Sequence, residues 1–492
     1  MKDAILAIDQ GTTSSRAIIF NSSGEVLHME QEEIITHFPS NGWVEQDPEE
    51  IWNKTQKVIS QALKKSDYLK TKILAMGITN QRETIVAWDK ITGKAVYNAI
   101  VWQDRRTSKQ CEELIKNGLN EEIIDKTGLI IDPYFSATKI AWILNNIEDA
   151  RRLALKDRLA VGTIDTFLLF KLTNGKSFYT DITNASRTSL YNIHDLEWDN
   201  SLLEIFDVPI NILPEVKDNI FEYGITENNL FGKSIPILSI AGDQQSSSLG
   251  QFCLNAGDVK ATFGTGCFIL MNTGNNILKS KNKLLTTIAY KIGKKINYAL
   301  EGSIFISGAA VQWLRDNLKI IKKAEDTQAL ASSIKNNNGV YFVPAFTGLG
   351  APYWKPEARG AIYGLSRSSG PAEISRAVLE SVAYQCADLL DAMRSDGQKP
   401  KVMRVDGGMS SNDWLMQFLS NISELTIERT GNKESTSYGI AILTALGSGL
   451  ISSLKEFSNN WTVNRKFNPE MSRNEIDKYR NGWQHAIKKT IM

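Results

Sequence analysis

Two turns rich in glycine, threonine and serine, far apart in the chain, are the residues best suited to bind a phosphate. The first is Asp9-Gln10-Gly11-Thr12-Thr13-Ser14-Ser15-Arg16 and the second is Phe263-Gly264-Thr265-Gly266-Cys267-Phe268. Glycine lets the backbone approach an anion, and successive N–H groups with hydroxyl side chains then hydrogen-bond phosphate oxygens. Either turn alone is equally typical of an ordinary hairpin. Both together favour a nucleotide held between two halves of the protein, and the chain has no G-x-x-x-x-G-K-[ST] sequence of a P-loop.

Two carboxylates stand where predicted strands end. Asp9 ends the strand before the first turn, where a carboxylate can hold Mg²⁺; an Asx-turn cap is the alternative, and we favour the metal role. Asp243 follows the apolar run 235–240 and opens a Gln-Gln-Ser-Ser-Ser stretch. It is placed either to take a proton from a substrate hydroxyl or to cap a helix, and position alone does not decide between these roles.

Four further side chains could bind a polyol. Arg82 and Glu83, at the exit of the predicted strand 73–79, could hydrogen-bond vicinal hydroxyls, although the pattern alone favours a surface ion pair. Trp102 and Tyr134 could pack on the C–H face of a sugar or polyol, whereas core filling is the more common role of such aromatics.

The elements that must position these residues occur in the same order in both halves. The first half predicts strands at 4–9, 16–20 and 26–30, a helix capped by Asp47 with Pro48 at its first position, and strands at 73–79 and 84–88. The second half predicts strands at 259–263 and 268–271, a helix over 372–393, a strand at 402–406, a helix capped near Ser410 or Ser411, and a closing basic helix over 479–492. The Asp406-Gly407-Gly408 turn between them would let an adenosine lie against the backbone, although many loops contain this sequence.

This repeated order predicts an α/β protein of two duplicated actin-like (ribonuclease H-like) ATPase domains with a nucleotide cleft between them. A chain of 492 residues is too long for one ordinary core, and we place the division at residues 1–250 and 251–492. The first domain would carry the substrate site and the first phosphate turn. The second would carry the second phosphate turn and the adenine site.

Composition excludes several other classes of protein. The formal net charge of +1 argues against nucleic acid as a partner, and no apolar stretch is long enough to predict a transmembrane segment. The four cysteines show no C-x-x-C spacing and predict free thiols in a reducing compartment, which indicates the cytoplasm. The four histidines form no metal-binding motif.

Seven motifs together resemble the FGGY carbohydrate kinases, and within them the glycerol kinase branch, over essentially the whole chain. They are Asp9 to Arg16, Asn80-Gln81-Arg82-Glu83-Thr84, Trp102-Gln103-Asp104-Arg105-Arg106, Asp181-Ile182-Thr183-Asn184-Ala185-Ser186-Arg187, Gly242-Asp243-Gln244-Gln245, Phe263 to Phe268, and Pro344-Ala345-Phe346-Thr347-Gly348-Leu349-Gly350-Ala351-Pro352-Tyr353-Trp354.

The resemblance implies a role for each candidate residue. The residues implied to bind glycerol are Arg82, Glu83, Tyr134, Asp243 and Gln244 through its hydroxyls, and Trp102 and Phe268 along its carbon backbone. The residues implied to bind the nucleotide are Thr12, Thr13, Ser14, Arg16 and Thr265 at the phosphates, Gly308 and Gln312 along the site, and Met409 and Asp413 at the adenine. Relatives often carry a small residue and Asn at these last two positions.

The implied activity is that of an ATP:glycerol 3-phosphotransferase of glycerol catabolism. It would use Mg²⁺ and ATP, with Asp243 as the general base, and would act as a homodimer or homotetramer. A kinase of another small polyol or ketose is the near alternative, although Trp102 and Phe268 would leave a narrow pocket. A non-catalytic actin-like ATP-binding protein is the other alternative, and it would have no need of Arg82 and Glu83.

Overall fold

The computed structural model describes residues 2–355, 357–432, 434–454, 456 and 461–492. These residues form two compact units. The first is drawn from 1–252, 286–298 and 434–460, and the second from 253–285, 299–433 and 461–492. Two segments of the downstream half therefore fold with the upstream half. The division at residue 250, with the role assigned to each domain, stays a prediction.

The first unit is built on a six-stranded sheet in the order β13-β14-β5-β1-β2-β3. Its strands are β1 Lys2–Gln10, β2 Ser14–Asn21, β3 Val26–Glu33, β5 Thr71–Asn80, β13 Ile220–Ile225 and β14 Pro236–Gly242. A second sheet has the order β4-β7-β6-β8, with β4 Glu45–Gln46, β6 Ile85–Asp89, β7 Ala99–Ile100 and β8 Leu159–Thr163. Two short pairs complete the set, β9 Tyr179–Asp181 with β12 Glu215–Lys217, and β10 Tyr191–Asn192 with β11 Glu197–Trp198.

The first unit also contains helices, some of which cover the two faces of the six-stranded sheet. They are α1 Pro48–Tyr68, α2 Ser108–Lys116, α3 Asn120–Thr127, α4 Ser136–Asn146, α5 Glu148–Leu155, α6 Ile164–Leu172, α7 Ile182–Ala185, α8 Asn200–Phe206, α9 Asn228–Phe231, α10 Asp243–Gly250 and α15 Ser435–Gly447, with a 3₁₀ turn at Ile210–Ile212. The apolar faces of α1 and α6 share one core with Ala4, Leu6 and Ile8 of β1. On the opposite face α15 lies close to β5, since a Cβ on Gly77 would be 2.0 Å from Thr444 Oγ1. Because strand side chains alternate between the two faces of a sheet, a side chain at residue 77 would point at α15. The missing side chain of Gly77 therefore lets the helix pack closely against the strand.

The second unit contains a sheet with the strand order β18-β16-β15-β21-β22-β23. These strands are β15 Asp258–Phe263, β16 Cys267–Gly274, β18 Lys295–Ile304, β21 Val402–Asp406, β22 Ile427–Thr430 and β23 Val463–Phe467. Its other elements are the pair β19 Tyr341–Val343 and β20 Ala361–Tyr363, a 3₁₀ turn at Gly408–Ser411, and the helices α11 Gly308–Asp316, α12 Asp326–Ser332, α13 Pro371–Ser395, α14 Asp413–Ser423 and α16 Arg473–Ile491. The strand β17 Leu285–Ile292 falls almost wholly within the first unit.

Each unit repeats one arrangement, in which a hairpin pairs with a parallel strand. β1 is antiparallel to β2 and parallel to β5, while β15 is antiparallel to β16 and parallel to β21. The predicted strands and the long helices near residues 48 and 372 are confirmed, and Asp47 caps α1 by accepting the backbone N–H of Glu49.

Two helix starts in the second unit differ from the predictions. The cap predicted at Ser410 or Ser411 is wrong, because those residues lie in the 3₁₀ turn and the Asn412 side chain caps α14, accepting the N–H of Leu415 at 3.0 Å. The closing helix begins at Arg473 because Ser472 and Glu475 form a capping box. In the described part of the chain no helix is both long and apolar enough to cross a membrane.

Candidate active site

Three parallel strands of the first unit end side by side. In the sheet register Gln10 of β1 lies opposite Asn80 of β5, and Asn80 lies opposite Gly242 of β14. The segments that follow these strands therefore leave one edge of the sheet together, and the carboxyl edge of parallel strands is where ligands bind in open α/β sheets. This register places the first phosphate turn, Arg82 with Glu83, and Asp243 at a common edge.

Arg82 is the centre of the polar cluster at this edge. Its Nε lies 3.3 Å from Asp243 Oδ1 and 3.8 Å from Glu83 Oε1. Its terminal nitrogens donate to Tyr134 Oη at 3.4 Å and to Gln245 Oε1 at 3.2 Å. Arg82 is 3% exposed and Glu83 is 1% exposed, so the surface ion pair that the pattern alone favoured is wrong.

Glu83 is held in an uncommon conformation by a second buried arginine. Its φ of 60° lies in the left-handed region, which non-glycine residues occupy when the surroundings impose it. Arg187 Nε donates to Glu83 Oε1 at 2.6 Å, and its guanidinium lies 5.3 Å from the ring centre of Phe135 and 5.7 Å from that of Tyr134. Arg187 thus orients Glu83 and offsets its charge. The sequence placed Arg187 in a motif but assigned it no role.

Asp243 begins α10, where the helix dipole favours a carboxylate. Its Oδ1 accepts the backbone N–H of Gln244 at 2.6 Å while it faces Arg82. The N-cap position belongs to Gly242, so Asp243 is not the capping residue itself. The side chain is 27% exposed, in contrast to its buried arginine partner, and Gln244 beside it is half-buried. This arrangement leaves the carboxylate accessible to a small molecule.

Trp102 and Tyr134 form an aromatic wall beside the cluster. Their ring centres are 5.6 Å apart with an interplanar angle of 68°, and both residues are half-buried. Lys139 fixes the backbone of this wall by donating to the carbonyl oxygens of Pro133, Tyr134 and Phe135 at 2.6–3.0 Å. Burial lowers the pKa of Lys139 to about 8. The sequence analysis missed Lys139, although a lone lysine in the apolar helix α4 was a usable signal.

The first turn is a tight loop whose hydroxyl side chains differ in exposure. Gly11 N–H donates to Ser14 O at 2.9 Å; Thr13 is exposed, Thr12 is half-buried and Ser14 is buried. Arg16 pairs with Glu434 at 2.9 Å.

Asp9 lies beneath this turn, almost fully buried. Its Oδ2 accepts from Ser437 Oγ of α15 at 3.1 Å. Burial raises the pKa of Asp9 to about 6, while Arg16 and the Ser437 hydroxyl act in the opposite direction. An interior carboxylate that carries this penalty is a group that a cation would stabilise.

The second turn is held by the backbone of α11. Gly264 N–H donates to Gly266 O at 2.9 Å, Gly264 O accepts from Gly308 N–H at 3.0 Å, and Thr265 O accepts from two further N–H groups at the start of the helix. A Cβ on Gly308 would lie 2.6 Å from Gly264 O, so this contact requires glycine. The Thr265 side chain is exposed at the tip, Gln312 is exposed on α11, and Phe268 is half-buried in β16 of the same unit.

The residues predicted at the adenine lie around the 3₁₀ turn that follows β21. Ser307 Oγ lies 3.2 Å from Met409 Sδ, which places Met409 against the start of α11. Asp413 pairs with Arg429 at 2.8 Å and also with Arg465, so two guanidinium groups offset its charge.

The chain matches two family models in sequence. One describes the N-terminal domain of the FGGY family of carbohydrate kinases and matches residues 4–250; the other describes the C-terminal domain of that family and matches residues 259–448. The chain belongs to the FGGY family of carbohydrate kinases. It is therefore an enzyme of the phosphotransferase class.

Full-length relatives and solved structures agree with this assignment. The glycerol kinases of Sinorhizobium fredii and Petrotoga mobilis are each 53% identical to this FGGY chain, over 99% of the chain and 99% and 98% of their own lengths. The crystal structure of Plasmodium falciparum glycerol kinase with ADP is 37% identical, covers 100% of this chain and 99% of that one, and has a TM-score of 0.95. The predicted class of two duplicated actin-like α/β domains is confirmed.

Proposed function

We propose that this FGGY kinase is an ATP:glycerol 3-phosphotransferase, which forms sn-glycerol 3-phosphate and ADP. The observation that carries the proposal is the cluster in which the buried Arg82 contacts Glu83, Tyr134 and Asp243 at one sheet edge. The relatives of about 50% identity that match the whole chain are named glycerol kinases, which supports the same substrate.

The cluster suits a small polyol because it offers charged acceptors and donors beside an apolar wall. Arg82 and Glu83 bind vicinal hydroxyls, and Tyr134 and Gln244 add hydrogen bonds to the same molecule. Trp102 packs along the C–H face of glycerol, and Phe268 of the second unit is assigned to its other side. Buried polar groups that pair with substrate hydroxyls discriminate strongly against an analogue that lacks them.

Asp243 is the general base of the proposed reaction. It accepts the proton of the attacking glycerol hydroxyl as the new oxygen–phosphorus bond forms, and the bond from the γ-phosphorus to the bridging oxygen breaks to release ADP. The neighbouring guanidinium of Arg82 favours the ionised carboxylate that this step requires.

The nucleotide is assigned to the two turns and to α11. Thr12, Thr13, Ser14 and Arg16 would bind phosphates from the first unit and Thr265 from the second, with Gly308, Gln312, Met409 and Asp413 along the nucleoside. Arg16 would leave its ion pair with Glu434 and bind a phosphate oxygen, which carries negative charge as the glutamate does.

Asp9 fits a Mg²⁺ ion, since it is a buried carboxylate whose pKa is raised by burial and by the nearby charges of Asp243 and Glu434. Mg²⁺ usually takes one or two protein carboxylates and completes its shell with water and substrate phosphates. When bound, the ion would neutralise charge on the transferred phosphoryl group.

The test is ADP release from Mg-ATP with glycerol, dihydroxyacetone, xylulose, ribulose, gluconate or no acceptor. We expect ADP formation to depend on glycerol. A preference for a ketose would overturn the assigned substrate, and hydrolysis that ignores every acceptor would overturn the kinase reaction.

We also propose that the enzyme works in the cytoplasm as a homodimer or homotetramer. The four cysteines are buried free thiols, which suits a reducing compartment. Light scattering after gel filtration would measure the assembly, and a monomeric mass at working concentration would contradict it.

A further inference from the structure

A closed ring of buried and half-buried hydrogen bonds joins the first phosphate turn to the aromatic wall of the proposed glycerol site. We propose that Gln46 and Gln81, which belong to this ring, are positioning residues that couple the binding of glycerol to the binding of the ATP phosphates. The inference rests on the proposed function. It adds a link between the two substrates and gives roles to two glutamines that are assigned to neither of them.

The ring runs through five residues of the first unit. Gln46 Nε2 donates to the backbone oxygen of Thr12 at 2.6 Å, and Gln81 Nε2 donates to Gln46 Oε1 at 2.9 Å. Thr84 Oγ1 donates to Gln81 Oε1 at 3.0 Å and accepts the backbone N–H of Trp102 at 3.2 Å. The indole Nε1 of Trp102 then donates to Thr12 Oγ1 at 2.9 Å and closes the ring.

Burial makes these bonds strong determinants of geometry. Gln46 and Thr84 are 0% exposed and Gln81 is 1% exposed, so water does not replace a broken bond at little cost. Gln81 Nε2 also donates to Gln10 Oε1 at 3.1 Å, and the backbone N–H of Gln81 donates to Gln10 O at 2.7 Å. These contacts tie the strand ends of β1 and β5 to the ring.

The two residues that close the ring are assigned to different substrates. Thr12 faces the nucleotide phosphates and Trp102 faces the carbon backbone of glycerol, yet one hydrogen bond joins their side chains. A substrate that orders either residue orders the other through the ring, so the second substrate binds to a site that is already organised. The strength of such a link is a coupling free energy between the two binding sites. It is reciprocal, so glycerol should raise the affinity for ATP by the same factor as ATP raises the affinity for glycerol.

The coupling is measured as the ratio of glycerol dissociation constants, without and with a saturating non-hydrolysable ATP analogue and Mg²⁺, by titration calorimetry. We expect the wild-type protein to bind glycerol more tightly with the analogue. Gln46→Leu removes two bonds of the ring and should lower that ratio by at least about threefold to tenfold, the range expected for the loss of one hydrogen bond. Trp102→Phe removes the closing N–H together with part of the aromatic surface assigned to glycerol. The lost surface weakens glycerol binding with and without the analogue, so the ratio itself should fall in the same range because of the lost N–H.

Thr36→Val is the matched control. Thr36 Oγ1 also accepts from Gln46 Nε2, at 3.1 Å, but it lies outside the ring, so this variant should keep the wild-type ratio. A wild-type ratio of one, an unchanged ratio in Trp102→Phe and Gln46→Leu, or an equal loss in Thr36→Val would overturn the proposal. Wild-type turnover of glycerol is measured separately. If the wild-type enzyme phosphorylates glycerol but any of these results is found, the coupling role of the ring is wrong and the proposed function still stands.

Discussion

The two phosphate turns have the same hairpin but place their carboxylate on different strands. In the first unit Asp9 lies on β1 opposite Thr79 of β5, whereas in the second unit Thr262 lies on β15 opposite Asp406 of β21. The Thr262 hydroxyl donates to Asp406, and Asp9 accepts instead from Ser437 of α15. Each turn therefore has one carboxylate beside it, but the two carboxylates come from different strands and have different hydrogen-bond partners.

The turns also differ in what holds them in place. Side chains hold the first turn, above all those of Gln46 and Trp102. The second turn is held by backbone N–H groups at the start of α11, which can approach because Gly308 has no side chain. A repeated fold therefore fixes the backbone path of a turn and leaves its support to the local sequence. The first turn should be sensitive to loss of side-chain groups, and the second to any added atom.

The largest effect is expected from Asp243→Asn, which tests whether a residue of the first unit supplies the general base. The amide cannot accept the proton of the attacking hydroxyl, so kcat should fall by about 10²–10⁴-fold, as is usual when a general base is removed. The KM for ATP should change little, because Asp243 is not assigned to the nucleotide. Initial-rate kinetics measure both constants, and a variant with near-normal kcat would remove Asp243 from the proposed role.

Gly308→Ala tests the backbone support of the second turn. The added Cβ would lie 2.6 Å from Gly264 O and must displace the turn or the start of α11, which costs about 1–3 kcal/mol for an overpacked contact. We expect this to appear as a KM for ATP raised by about tenfold, with the KM for glycerol much less affected. Gly370→Ala is the matched control, because a Cβ there would meet only Glu373 Oε2, at 3.8 Å, and Gly370 is assigned to neither substrate. Equal effects of the two substitutions would contradict the assigned role of α11.

The smallest effect is the acid limb of the pH profile, which separates the two carboxylates. The pKa of Asp9 is raised from 3.8 to about 6, so kcat/KM for ATP should fall below about pH 6 as the carboxylate gains a proton and no longer favours a cation. Asp9→Asn should be weakly active and lack this limb. Asp406→Asn changes the counterpart in the second unit and should retain the acid limb. If Asp406→Asn lost the limb and Asp9→Asn kept it, the limb would belong to Asp406 and the assignment to Asp9 would be wrong.

The raised pKa of Asp9 also makes the stability of the folded protein depend on pH. Between pH 3.8 and about 6 the folded protein binds a proton at Asp9 that the unfolded chain has released. The free energy of unfolding contributed by this group therefore decreases as pH rises through that window. Denaturant melts of wild type and Asp9→Asn at pH 4.5 and 6.5 measure the difference, which should be lost in the variant.

Much of the fold was predictable because the hairpins carry strong local signals. Apolar strands around a glycine turn predicted β1 with β2 and β15 with β16, and the Asp47-Pro48 pair predicted α1. The start of α14 was not predictable in the same way, since Ser410, Ser411 and Asn412 are all good caps and only the 3₁₀ turn selects the last of them.

The sequence by itself determined the elements, the repeated order of hairpin and parallel strand, and the residue types for a kinase site, because turn chemistry and hydrophobic period are local properties. Only the tertiary structure decided that Arg82 and Glu83 are buried rather than on the surface, that Arg187 and Lys139 support them, and that Gln46 reaches Thr12. Those facts depend on the sheet register that aligns Gln10, Asn80 and Gly242, and on burial that turns weak polar contacts into fixed ones. Pairings between residues tens to hundreds of positions apart leave no periodic signal in a single chain.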